Sequence, residues 1–328
     1  MADRLYSVQI HYTGSTFWMF GNAGAVGKGL YQSTDGGVTW GQVKGYFDQW
    51  RVQGIRRGAD GLLYVSGQDT LSKENVVSMN TATSPYAVKN VFTSTNNVSL
   101  SMQVAHFARD SQGRSFGESL TGNGFIYRAS DTAAWEGLDS KWADDGVSYQ
   151  ILSMTMFNDK IYGAGSTISQ PPMVFLPSKK AGAQPYSMTP VTLASFKGEM
   201  WGLTVLDDKR VVVAGVDQLK DVGMIFASKT DPYKASDYSA FDVTAKLFPG
   251  KSTWIRGVCS RGDTVVAVGE KQPLASGTGI VLLSTDGGQS FSNIADAAIK
   301  ANSVSRCHIL SDGTIAVAGA SGYIGLYK

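Results

Sequence analysis

One pattern of apolar and polar positions returns along the whole chain. An apolar stretch, a short polar turn and a second apolar stretch ending in glycine recur again and again. The pattern reads QIHYTGSTFWMFG to Gly21, GIRRGADGLLYVSG to Gly67 and HFARDSQGRSFG to Gly117. It continues as MTMFNDKIYG to Gly163, LTVLDDKRVVVAG to Gly215, VCSRGDTVVAVG to Gly269 and HILSDGTIAVAG to Gly319. These seven copies lie about fifty residues apart and fill the chain. The turns Ala59-Asp60-Gly61, Asp207-Asp208 and Ser311-Asp312-Gly313 between apolar runs predict antiparallel hairpins.

A unit of about fifty residues holds four strands of roughly five or six residues with their turns. Third and fourth strands are clearest at 29–43 (GLYQSTDGGVTWGQV) and 279–294 (GIVLLSTDGGQSFSNI). A helical pattern is confined to 294–301. The prediction is an all-β chain: one seven-bladed β-propeller of four-stranded antiparallel blades, spanning residues 1–328 as a single domain. A β-helix is the weaker reading, because its repeats are shorter and its strands parallel.

Blade seven supplies three strands and no fourth. Residues 1–6 are too short to pair at the outer edge and also cross three strand spacings of about 4.8 Å each to the inner strand. The expectation is therefore a three-stranded last blade, closed on blade one by side-chain packing. It leaves an apolar edge of Gly322, Tyr323, Ile324, Gly325, Leu326 and Tyr327 for a neighbouring chain to cover.

Composition narrows the class. The chain of 328 residues has 29 Lys+Arg against 27 Asp+Glu, a net charge of +2, which argues against a nucleic-acid binder. A hydrophobic share of 43% with only 17% charged residues argues against disorder. Two cysteines, Cys259 and Cys307, are too few for a disulfide framework or a four-cysteine zinc site. No apolar run reaches the roughly 20 residues of a membrane span. The first residues show no basic segment leading into an apolar one, so no secretory signal and cytoplasmic synthesis are expected.

Two segments carry a specific turn motif. Ser33-Thr34-Asp35-Gly36-Gly37-Val38-Thr39-Trp40 and Ser284-Thr285-Asp286-Gly287-Gly288-Gln289-Ser290-Phe291 both fit S-x-D-x-G-x-x-[WF]. The aspartates can accept amide hydrogen bonds within their own turns, and the glycines allow positive φ. Trp40 and Phe291 can pin the hairpin to the blade. A decayed copy is Ser130-Asp131-Thr132-Ala133-Ala134-Trp135. On these residues the chain resembles the Asp-box, or BNR-repeat, propellers. That group includes sialidases, glycosidases, sortilin-type receptors, photosystem II assembly factors and many phage-encoded proteins. The resemblance implies boxes in third-to-fourth-strand turns, on the face opposite the usual ligand site. There they act as turn fasteners rather than binding groups.

Chemistry is harder to find. Arg51, Arg256 and Arg306 fall near first strands, the last two in matching tripeptides, Arg256-Gly257-Val258 and Arg306-Cys307-His308. They are candidates for an anion or glycan contact at the channel face, with Trp50, Tyr149, Trp201 and Trp254 as stacking partners. The alternative for the arginines is pairing with blade carboxylates, and for the aromatics packing between blades. Glu118, Asp144, Asp145, Glu199, Asp217, Asp221 and Glu270 are carboxylates of the same face, but no two form a motif for glycoside hydrolysis. The Arg-Ile-Pro stretch of sialidases is missing. His11, His106 and His308 lack metal-ligand spacing, and no cofactor motif occurs. Arg261-Gly262-Asp263 reads as a turn. The expectation is a non-enzymatic structural or interaction propeller, a phage tail, nozzle or baseplate component that contacts other virion subunits or a host surface. The alternatives are a glycan-binding or glycan-cleaving propeller and an intracellular assembly factor.

Overall fold

A computed structural model describes residues 10–13, 16–20, 29–36, 38–69, 74–83, 85–93, 104–119, 125–138, 142–147, 149–166, 171–271, 278–296, 299, 303–319 and 323–328. Seven antiparallel sheets follow one another along the chain, each ordered as its strands occur in sequence. Their inner strands are Ile10–Thr13, Trp50–Arg57, Val104–Arg109, Gln150–Phe157, Gly198–Val205, Thr253–Arg261 and Val304–Ile309. This is an all-β seven-bladed propeller with four-stranded blades. Blade seven has three strands among the described residues.

Among the described residues helix is confined to the short turn Val243–Leu247, a 3-10 turn at Ala235–Asp237 and Ile299. Asp242 caps the first of these by accepting the Ala245 amide at 2.7 Å. The helical pattern expected at 294–301 falls largely outside the described residues. Within it, Asp296 accepts the Ile299 amide at 2.9 Å.

The recurrent glycine has a structural cause. In blade two the register slips between Val52 and Gly54, and the same slip occurs opposite a glycine at Ile151/Ser153, Met200/Gly202, Ile255/Gly257 and Val304/Arg306. Blade three slips at Ala105, between Val104 and His106, with Ser119 opposite, so Gly117 is not at the matching place. Each slip is a β-bulge on the inner strand, seating Gln53, Ala105, Leu152, Trp201, Arg256 and Ser305 as the extra residues. The carbonyl just before the paired residue then swings over the second strand. A Cβ on Gly215 would lie 1.8 Å from the Glu199 carbonyl oxygen, and one on Gly269 would lie 2.0 Å from that of Trp254. Gly67, Gly165 and Gly319 are covered in the same way by Arg51, Gln150 and Ser303. Blade four therefore places this glycine at Gly165, not at Gly163, whose Cβ would meet only side chains at 3.3 Å or more.

The ring closes by packing. Phe17 of blade one and Ala316 and Ala318 of blade seven form one buried cluster, with Met19, Trp40, Leu310 and Ile324 against it. The last strand, Ile324–Tyr327, pairs with Ile315–Gly319 on one side. Leu326 is 44% exposed on it. Residues 1–6 and Gly322, on which the rest of the edge expectation depends, lie outside the described residues.

One crosslink was not foreseen from a count of two cysteines. Cys259 and Cys307 form a disulfide between the inner strands of blades six and seven.

Candidate functional site

The strands of each blade alternate in direction, so the turns after first and third strands lie on one face and inner strands begin at the other. The two Asp boxes occupy the first of these faces. Asp35 lies between Leu30–Ser33 and Gly41–Gln42, and Asp286 between Thr278–Ser284 and Ser292–Asn293. Asp286 accepts from the Gln289 and Ser290 amides at 2.9 and 3.0 Å and from the Ser284 and Ser290 hydroxyls at 2.7 and 2.6 Å. Burial pushes its carboxyl up, but these donors prevail and hold it at about 2. Asp35 is held at about 2 by the Thr39 hydroxyl and amide and the Ser33 hydroxyl. Gly37 is outside the described residues.

The box aromatics reach further than their own hairpins. Phe291 packs on Phe241 of blade five, with ring centroids 5.3 Å apart, and Gly288 is seated against Val212 and Ala227 of the same blade. Trp40 packs on Phe17 of its own blade, ring centroids 6.4 Å apart, against the cluster at the ring seam. In the decayed copy, Trp135 packs on Phe92 of blade two at 5.1 Å. Phe291 and Trp135 thus rivet their blades to the preceding ones, while Trp40 backs the seam cluster through Phe17. Asp131 has left the turn pattern and bridges Arg109 and Arg128 at 2.6 and 2.9 Å instead.

The opposite face carries the candidate site. Trp201 and Arg256 are the bulge residues of blades five and six, and the bulge turns both out toward the channel mouth. The Arg256 guanidinium lies 4.4 Å from the Trp201 ring centroid and 4.5 Å from that of Trp254. The two rings are 5.6 Å apart. Buried Glu270 takes both Nε and a terminal nitrogen of Arg256, at 3.2 and 2.9 Å, and also accepts the Ser303 hydroxyl. The rings are oriented in turn. Trp201 Nε1 donates to Glu199 at 2.9 Å and Trp254 Nε1 to Asp221 at 3.3 Å. Cation–π contact, ion pair and indole hydrogen bonds together fix a rigid aromatic stack edged by carboxylates.

Several sequence expectations change here. Arg256 and Arg306 are not equivalent, because the bulge position of blade seven is Ser305. Arg306 stands one residue further along, where blades five and six carry Gly202 and Gly257, and lines the channel. Arg51 precedes the bulge of blade two and is exposed, away from both. Trp50 is not a channel-face residue. It is 1% exposed and packs edge-on to Phe47 at 5.7 Å, because its position faces the sheet core. Tyr149 is likewise buried, against Trp142 and Phe175. Asp144 is held by Ser178 and Thr189, Asp145 by Tyr149, and Asp217 by the Leu219 and Lys220 amides. The Glu118, His11 and His106 side chains are outside the described residues. Arg56, which sequence reasoning passed over, enters the channel with Arg306. Its alternation along GIRR gave the only hint.

No protein-family profile and no curated protein matches the chain. Solved structures of the same shape do. YCF48 from Cyanidioschyzon merolae superposes with a TM-score of 0.63 at 14% identity, over 98% of this chain and 94% of that one. A catalytically inactive virginiamycin B lyase from Staphylococcus aureus with quinupristin gives a TM-score of 0.66 at 12% identity, over 99% and 94%. The Cps50 (Swd1) propeller of Myceliophteria thermophila gives 0.61 at 9%, over 100% and 99%. These likenesses are of fold.

Proposed function

We propose that the chain is a non-catalytic interaction propeller that grips another protein through the Trp201–Arg256–Trp254 stack, as a structural component of a phage tail, nozzle or baseplate. One observation carries the interaction reading. The stack joins the two residue types that dominate interface hot spots, and its own charges are already balanced by Glu270. A partner therefore meets flat aromatic surface whose orientation costs nothing further to fix. A structure of YCF48 holds a D1 peptide, which supports a protein partner for a ring of this shape. The virion reading rests on the resemblance of the Asp-box repeats to phage-encoded propellers, and on the Tyr323–Tyr327 edge that a neighbouring subunit would cover. On this reading the chain is made in the cytoplasm and then assembled.

The test is co-sedimentation with intact virions, comparing the parent with a Trp201→Ala/Trp254→Ala double variant. The parent should travel with the particle and the double variant should be depleted from it by about tenfold or more, the loss of a hot spot of roughly 2 kcal/mol. A parent that stays in the soluble fraction overturns the virion reading. A double variant incorporated at the parent level overturns the role of the stack. Retention on immobilised glycans that the double variant loses would favour the glycan-binding alternative.

A further inference from the structure

The channel below the stack is a second site, which shares Trp201 with it. It is a cavity of about 260 Å³ walled by the inner strands of blades two, four, five, six and seven. Its lining includes Arg56, Arg306 and His308, and the hydroxyl residues Ser153, Thr155, Thr204 and Ser260. No aspartate or glutamate lines it among the described residues.

Among the described residues neither guanidinium has an acidic partner there. Arg56 reaches from blade two across to blade four and donates to the Met154 carbonyl at 3.5 Å. Arg306 donates to the Arg256 and Ser305 carbonyls at 3.0 and 2.8 Å. Carbonyl oxygens satisfy N–H groups but leave the positive charge uncompensated. Burial first, and then the charges of Arg56 and Arg256, push the Arg306 guanidinium down to about 10. Arg256, by contrast, is paired with the buried Glu270. A native channel that concentrates positive charge without a counter-charge has the electrostatics of an anion receptor.

We propose that the channel binds one small oxyanion between Arg56 and Arg306, with the hydroxyls of blades four to six as further donors. The volume sets the class. It lies below the roughly 300 Å³ at which pockets for drug-sized ligands begin. It holds about nine waters' worth of space at ~30 Å³ each. Phosphate, sulfate or a short carboxylate fits, and a nucleotide does not.

The test is thermal melting and titration calorimetry of the full chain with inorganic phosphate and with citrate, against chloride at equal ionic strength. The expected result is a saturable rise in melting temperature and a stoichiometry near one. Arg56→Gln and Arg306→Gln should each weaken binding by about tenfold or more, the worth of a hydrogen bond to a charged group. Arg51→Gln, outside the channel, should leave it unchanged. Because the titration of the parent stands by itself, a misfolded variant does not rescue the idea. No response of the parent beyond that to chloride overturns it. So does a response that both glutamine variants retain.

Discussion

Asp286→Ala removes the acceptor that closes the blade-six box. Four donors lose their partner: the amides of Gln289 and Ser290 and the hydroxyls of Ser284 and Ser290. The shift of the carboxyl from 3.8 to about 2 corresponds to about 2 kcal/mol at full value. The side chain is exposed, so solvent screening reduces its share to about 1 kcal/mol. Relaxed contacts of Phe291 on Phe241 bring the expected loss to about 1–2 kcal/mol. At about 2.1 cal/mol/K of unfolding entropy per residue, a chain of 328 residues melts about 1.5 °C lower for each kcal/mol lost. Calorimetry should therefore show a drop of about 2–3 °C. The pH dependence has a definite sign. A depressed carboxyl stabilises fully above 3.8, and the contribution disappears as pH falls toward about 2, so parent and variant should converge in acid. Binding to any partner should be unaffected, since the box and the stack lie on opposite faces. Altered binding with an unchanged melting temperature would refute the structural role, as would a difference that widens in acid.

Gly215→Ala should destabilise by about 3 kcal/mol or more, because its Cβ would sit 1.8 Å from a backbone oxygen. Gly41→Ala, with nothing within 4 Å, should be near neutral in the same melts. Cys307→Ser should cost up to about 4 kcal/mol, the closure entropy of a loop with a sequence separation of 48. Reductant should lower the melting temperature of the parent equally and leave the variant unmoved. Sialosides and β-glucans should not be turned over in a chromogenic screen, and activity abolished by Glu199→Gln or Glu118→Gln would overturn the non-enzymatic reading.

The repeat was legible because each blade must bury alternate residues and turn sharply. The apolar runs and the Asp-Gly turns record that demand directly. Register within the inner strand was not legible. A bulge shifts every later residue by one, and nothing in Arg256-Gly257-Val258 or Arg306-Cys307-His308 reveals on which side of the shift it lies. Matching the two tripeptides therefore paired the wrong positions, and it hid the separation between a neutralised arginine at the mouth and a charged one in the channel. Arg56 was missed for the same reason. Trp50 and Trp254 look alike in sequence, yet they stand at neighbouring register positions, one facing the core and the other the rim. The cross-blade partners of Trp135 and Phe291 were equally out of reach, since the contact depends on how blades meet rather than on the motif.

The bulge has a consequence for how such a ring can acquire new specificities. A glycine on the second strand, with a carbonyl over its Cα, holds the mount in place. The residue seated on the mount contributes nothing to the pairing. Among the described residues six blades carry such a slip, with six different residues at it: Gln53, Ala105, Leu152, Trp201, Arg256 and Ser305, and all but blade three set a glycine opposite. Changing an occupant alters what the mouth of the channel presents while the ladder that supports it stays intact. The scaffold thereby separates the positions that must keep their identity from those free to vary, and sets the variable ones side by side around a single opening.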